Sequence, residues 1–270
     1  VCVTGANGFV GSHIVRELLA MGQYKVCGTI RYDPHSSDPL IQCKFIHLMN
    51  FPNAKENLEL FRADVMEEGS FDSIISKCNY VIHTACPFYL TPTVNDTHNA
   101  EIKLLDPAVK GTRNVLNSVE KYRDRVKRVI VTSSTGALIG FADRVFGKVY
   151  YETDWNEKSS LISNPFAYSK TMAEKEAWKW YQEMIDKYSN ERNGNIPVEV
   201  VSLNPVLIIG PILQVDRLIF NHMMKSKIIP GDDGKTTKAD GFSIVDVRDV
   251  AKAHVLALTC PNVSGERFVL

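Results

Sequence analysis

The chain has 270 residues, enough for one large α/β domain with a smaller lobe. Its 31 Lys and Arg balance 31 Asp and Glu, so no net field draws it toward nucleic acid, a membrane surface or an acidic partner. No apolar run approaches the ~20 residues of a membrane-spanning helix, and the opening residues do not read as a signal peptide. Six cysteines stand singly at Cys2, Cys27, Cys43, Cys78, Cys86 and Cys260, without C-x-x-C or metal-ligand spacing. They read as small buried hydrophobes of a reducing cytoplasm, and no metal site is expected. The glycosylation sequons at Asn95 and Asn262 carry no weight in that compartment.

Val1 to Gly11, VCVTGANGFVG, is a short apolar run broken by Gly5, Gly8 and Gly11. It reads as a buried strand turning directly into a helix, with Ile14, Leu18 and Leu19 at helical spacing and Gly22 ending it. Gly5 and Gly8 allow a tight turn and close approach to a pyrophosphate; Gly11 lets helix and strand pack closely. Asn7, Phe9 and Val10 lie between them, and the helix start offers free N–H groups to phosphate. The G-x-x-G-x-x-G spacing is not G-x-G-x-x-G, and a plain glycine-rich turn is the competing reading.

The next strand is Lys25–Ile30, followed by a polar loop from Arg31 to Pro39. A third strand spans Asn57–Ala63, a helix Gly69–Lys77, and a fourth strand Tyr80–Ala85. A polar loop, Cys86–Thr97, leads to a long helix from Glu101 to Tyr122. Strand Arg128–Thr132, helix Asn164–Tyr188 and strand Glu199–Leu203 follow. Continuous β-branched strands alternating with helices imply a doubly wound parallel sheet, the Rossmann arrangement, with ligands outside the strands' carboxyl ends. The expected division is a dinucleotide-binding domain over residues 1–205 and a smaller substrate lobe over 206–270, with 241–258 returning to the first domain. Val1 already lies in a strand and Leu270 closes the strand-like ERFVL, so the chain reads as part of a longer protein whose C-terminal remainder completes that lobe.

In this arrangement the end of the second strand meets the adenine ribose, where an acid selects NAD and a basic residue accommodates the 2′-phosphate of NADP. Arg31 stands there, and its planar fork suits a phosphate. NADP is the expected cofactor; the neighbouring Asp33 keeps NAD open. Asp64 and Val65 follow the third strand, where they either contact adenine or cap a helix. Thr84 and Ala85 end the fourth strand, small enough to let a dinucleotide pass.

TGANGFVG, Arg31, Ala63-Asp64-Val65, VIHTACPF, VKGTRNVL, VIVTSSTGA, PFAYSKTMAEKEAW, LNPVLIIGP and IVDVRDVAKAHVLAL follow one another in order. Together, over nearly the whole chain, they resemble the extended short-chain dehydrogenase/reductases, in the branch of dihydroflavonol-4-reductase, cinnamoyl-CoA reductase and the yeast-type ketone/aldehyde reductases. The resemblance implies reduction of a ketone or aldehyde to an alcohol by hydride from NADPH. It implies a serine that holds the carbonyl oxygen, a tyrosine that donates the proton, and a lysine four residues later that lowers the tyrosine's pKa and holds the nicotinamide ribose. Ser134 matches the serine and Lys170 the lysine, but the tyrosine's position holds Phe166. Tyr168 is no direct substitute, since two residues from Lys170 it points about 200° away on a helix. Three explanations stay open: a natural or engineered knockout with an intact cofactor site, a non-catalytic NADP-binding relative, or an irregular helix that lets Tyr168 act.

Pro205 and Val206 resemble the family's segment near the nicotinamide carboxamide, and Asn114 an asparagine that supports the lysine through water. Phe88, Tyr89, Ile139, Leu213 and Phe220 fall in loops that line the family's substrate pocket, which implies an apolar or aromatic small carbonyl substrate. Ile139 stands where flavonoid reductases carry an asparagine, and NPFAYSK replaces the cinnamoyl-CoA reductase signature NWYCYGK, so neither plant substrate follows. His13, His83, His222 and His254 read as structural. Trp178, Trp180 and Tyr181 fit either a dimer's helix pair or the chain's own core, leaving monomer and homodimer open. A nucleotide-sugar epimerase or dehydratase on the same fold is the remaining alternative; Arg31 and the absence of a sugar-phosphate clamp after Val206 count against it.

Overall fold

The computed structural model describes residues 1–87, 97–140, 147–188, 198–213 and 243–270. Seven parallel strands form one sheet: β1 (Cys2–Thr4), β2 (Val26–Ile30), β3 (Leu58–Arg62), β4 (Tyr80–His83), β5 (Arg128–Thr132), β6 (Glu199–Asn204) and, after two strands of a separate sheet, β9 (Arg267–Val269). Their order is β3-β2-β1-β4-β5-β6-β9. The chain winds outward from β1 in one direction through β2 and β3, then returns to place β4, β5 and β6 on β1's other side. β1 and β4, paired Thr4 to His83, therefore form the switch point, where the loops leaving their carboxyl ends part and open a crevice. This is the Rossmann arrangement that the alternation of elements implies.

Helices cover both faces because both faces of the strands are apolar. On one face lie α1 (Phe9–Met21) and α9 (Val247–Ala257), with Ile14, Leu18, Ile130 and Val255 buried between helices and sheet. On the other lie α7 (Asp106–Lys121) and α8 (Pro165–Tyr188), around the fully buried Trp180. Each such side chain contributes roughly 1.5–3 kcal/mol. An exposed pair such as Arg62–Glu67 contributes about 0.2–1 kcal/mol, so the two apolar layers hold the fold. Trp180 and Tyr181 belong to this internal core.

Several boundaries differ from those expected. The segment after Arg31 folds into three one-turn helices, α2 (Pro39–Gln42), α3 (Ile46–Met49) and α4 (Ala54–Asn57), because Asp38 caps the first and Phe45 and Leu48 are buried. The helix expected over 69–77 shrinks to α5 (Asp72–Ile75) between turns. The long helix expected from Glu101 begins with the single turn α6 (Thr97–Ala100) and then a wider π-turn over Glu101–Leu105, where the Asp106 N–H reaches the Glu101 carbonyl. Pro107, in the first turn of α7, has no N–H to continue an α-helical ladder through this point. Only Cys2 and Cys78 are fully buried; Cys260 is exposed and Cys27, Cys43 and Cys86 are half-buried, Cys43 and Cys86 in segments outside the sheet.

After β6, β7 (Leu207–Ile209) pairs in parallel with β8 (Ile244–Asp246) in a small second sheet. β9 then joins the main sheet beside β6. Phe220 and His222 lie outside the described residues, as do Phe88 and Tyr89.

The turn from β1 into α1 is the tightest place in the fold. Gly5 has φ +65°, and a Cβ there would lie 3.0 Å from the Ala85 Cα. At Gly11 a Cβ would overlap the Gly5 carbonyl oxygen and meet the Ala6 Cα at 3.1 Å, both rigid backbone. Gly11→Ala is therefore expected to push the loop from α1, lowering the thermal midpoint and weakening dinucleotide binding at least tenfold. A variant with native melting and native affinity would contradict this reading of the loop.

Candidate active site

A cavity of about 240 Å³ opens at the switch point, reaching from the glycine loop to Ser134, Phe166 and Lys170 and on to Pro205 and Val206. At one end, Gly8 precedes α1 and no side chain caps it. The first-turn N–H groups, on Phe9, Val10 and Gly11, therefore meet the cavity without a capping oxygen, together with the positive end of the helix dipole. The loop is fixed by main-chain bonds: Ala6 N–H to the Thr29 carbonyl and Gly8 N–H to the Gly5 carbonyl, both 2.9 Å. Ser12 on α1 bonds the Ala6 carbonyl and His47, tying α3 to the same turn. An uncapped helix start behind a backbone cradle that a Cβ would fill fits the pyrophosphate of a dinucleotide.

Thr4 staples β1 to β4. Its hydroxyl accepts the N–H groups of Thr84 and Ala85 at 3.1 Å and so donates to His83 Nδ1 at 2.9 Å. Thr112 spends its hydrogen on the Ala108 carbonyl, so His83 Nε2–H donates to the Thr112 oxygen. Both imidazole nitrogens are thereby assigned, and burial together with the Lys170 charge pushes the His83 pKa down to about 3. At neutral pH this histidine is an uncharged strut, in keeping with its structural reading.

At the other end, Ser134 caps the short turn Thr135–Ala137: its Oγ accepts the Gly136 N–H at 3.0 Å, which leaves its own hydrogen for the cavity. Lys170, 8% exposed, donates from Nζ to the Thr132 carbonyl at 2.8 Å. Behind it lies a void of about 10 Å³, one water in size, shared with His83, Thr112 and Glu174. Phe166, Lys170 and Glu174 are spaced four residues apart along α8 and form one stripe. The Phe166 ring lines the cavity beside Ser134; Tyr168 does not line it, because α8 is regular from Pro165 onward.

The remaining expected site residues fall in several places. Arg31 is exposed at the carboxyl end of β2. Asn7 donates its amide to the Lys44 main-chain carbonyl at 3.2 Å, tying the glycine loop to the segment between α2 and α3; no motif flagged this contact. Asp64 accepts the Met66 N–H with its carboxylate, closing a turn that does not start a helix, and Val65 packs against Gly111. Asn114 donates from its amide to the Val65 carbonyl at 2.8 Å. Thr84 lines the large cavity and Ala85 the small one. Ile139 and Leu213 are half-buried and do not line either; Pro87, Leu207 and Ile208, which sequence reasoning missed, line the large one. Among the described residues no helix is long and apolar enough to cross a membrane.

The model of the NAD dependent epimerase/dehydratase family matches residues 1–270. The chain belongs to the extended short-chain dehydrogenase/reductases. Over 276 residues it is 39% identical to a cinnamoyl-CoA reductase of Medicago truncatula, covering 100% of this chain and 75% of that protein. It is 36% identical over 259 residues to tetraketide alpha-pyrone reductase 1 of Arabidopsis thaliana, covering 95% of this chain and 71% of the relative. Among solved structures, yeast methylglyoxal/isovaleraldehyde reductase complexed with NADPH superposes with a TM-score of 0.77 at 29% identity, covering 100% of this chain and 77% of that one. The reductase branch read from the ordered motifs is the one these relatives occupy.

Among the described residues of this extended reductase, His83 is one of four buried histidines, with His13, His47 and His254, whose pKa burial lowers. His254 donates from Nδ1 to the Val250 carbonyl and accepts from Thr132 at Nε2, and burial pushes it down to about 4, as it does His47. The unfolded chain protonates His47, His83 and His254 near pH 6.5, the folded chain only near 3 to 4, so the unfolded state holds more protons in between. Stability is therefore expected to be full above about pH 6.5 and to fall on acidification toward pH 4. Urea titrations across that range check this, with a shallower slope expected for His254→Gln; a flat pH profile would contradict it.

Proposed function

We propose that the chain binds NADPH and presents it to a small apolar or aromatic ketone or aldehyde, with Phe166 standing where a proton-donating tyrosine is needed, so that turnover is slow. The observation that carries this reading is the single cavity joining the uncapped start of α1 to Ser134 and Lys170. NADPH, when bound, supplies the hydride. The glycine loop holds the pyrophosphate, and Arg31 at the end of β2 takes the 2′-phosphate. Lys170, already anchored on the Thr132 carbonyl, turns its remaining donors to the nicotinamide ribose. Pro205 and Val206 bound the ring, and the Ser134 hydroxyl donates to the carbonyl oxygen as charge grows there. The apolar walls, Phe9, Pro87, Leu207 and Ile208 among them, favour a substrate without charge and keep water from the reacting carbon.

What the arrangement lacks among the described residues is the acid. The Phe166 ring has no proton to give, His83 is neutral and turned away, and Tyr168 lies off the cavity. A positioned proton donor is worth ~10²–10⁴-fold in rate. Cofactor binding without turnover is the second reading, and Phe166 is the observation that favours it.

Phe166→Tyr is expected to raise NADPH-dependent reduction of an apolar aldehyde or ketone by ~10²–10⁴-fold while leaving NADPH affinity near native. Stopped-flow turnover beside a fluorescence titration measures both; no gain in rate with binding intact would leave binding alone as the function. Arg31→Asp should weaken NADPH far more than NADH, and an equal loss for the two would remove Arg31 from the 2′-phosphate site.

A further inference from the structure

Glu174 is fully buried one turn beyond Lys170 on α8, and its carboxylate is saturated. Arg267 donates from Nε to Oε1 at 2.6 Å and from a terminal nitrogen to Oε2 at 3.2 Å. Ser133 donates to Oε2 at 2.6 Å, Asn204 to Oε2 at 2.7 Å and Trp178 to Oε1 at 3.1 Å. Burial favours the neutral acid, but Arg267 and the other donors outweigh it and hold the carboxyl below its usual range. Arg267 comes from β9, stacks on the Trp155 ring at 3.8 Å, and donates to the Glu152 and Asp154 carbonyls.

Two arms of this cluster, through Ser133 and Asn204, end at the backbone of the reacting end. Ser133 directly precedes Ser134, and Asn204 also donates to the Ser134 carbonyl and directly precedes Pro205. Glu174 itself does not line the large cavity, so it has no path to a substrate there. A buried ion pair is a poor source of stability, since its desolvation cost offsets its attraction. A five-fold saturated carboxylate joining α8, β5, β6 and β9 is instead a device for fixing geometry.

We propose that Glu174 and Arg267 are positioning residues for the nicotinamide end of the cofactor site, registering Ser134, Lys170 and Pro205 against one another, so that strand β9 completes the site. This rests on the dinucleotide reading above. Among the described residues, no hydrogen bond or ion pair joins the cluster to Arg31 or Asp64 at the adenosine end. Loss of the cluster should therefore weaken the whole dinucleotide and spare its adenosine half, a split that simple destabilisation would not produce.

The test is calorimetric titration of the native chain, Glu174→Gln and Ser133→Ala with NADPH and, separately, with adenosine 2′,5′-bisphosphate. Glu174→Gln should bind NADPH more weakly, on the order of tenfold, with the bisphosphate affinity within about twofold of native. Ser133→Ala keeps the ion pair but cuts its link to the serine turn; it should show the same split, more weakly, and it serves if Glu174→Gln does not fold. Equal losses for both ligands, or native affinity for both in a folded variant, would overturn the proposal. Failure of the native chain to bind either ligand would instead overturn the dinucleotide reading beneath it.

Discussion

The closeness of two backbones, at Gly5 and Ala85, sets the rest of the structure. β1 and β4 are neighbours in the sheet, yet the chain leaves them in opposite directions, and the gap between their loops is where a ligand can enter. Thr4 holds the two strand ends together through three hydrogen bonds to β4 and its loop, so the crevice has rigid walls. With no side chain on Gly5 or Gly11 in the way, α1 starts against the sheet and its first amides face the crevice. From that geometry follow the anion site at one end and the distance that a dinucleotide must span to reach Ser134 and Lys170 at the other.

The reacting end is held by a different kind of force. Main-chain bonds and packing fix the glycine loop, whereas Ser134, Lys170 and Pro205 converge from three elements and are registered by buried polar contacts. Lys170 leans on the Thr132 carbonyl, and the Glu174–Arg267 cluster reaches the backbone on either side of Ser134. Phe166 lines the same cavity from the helix that carries Lys170.

Much of this was legible in the sequence because the signals are local. Alternating β-branched strands and helices give the sheet, and three glycines at fixed spacing give the loop. The four-residue step from Phe166 to Lys170 places both on one face of a helix. The misses come from non-local physics. Nothing in a window around Arg267 says that it will pair with Glu174, 93 positions earlier. Nothing around Asn114 says that its amide will reach the Val65 carbonyl, 49 positions earlier. The π-turn before α7 needed the missing N–H of Pro107 to be weighed against strong helical periodicity. Lys44 carries no motif, and only the fold of the short helices after Pro39 brings its backbone to Asn7.

The central claim is that one crevice holds one dinucleotide in one direction. A crystal structure of the chain soaked with NADPH tests it most directly. The account predicts the pyrophosphate on the amides of Phe9 to Gly11, the 2′-phosphate at Arg31, and the nicotinamide between Phe166 and Pro205 with its ribose on Lys170. Density in the reverse direction, or outside this crevice, would contradict it.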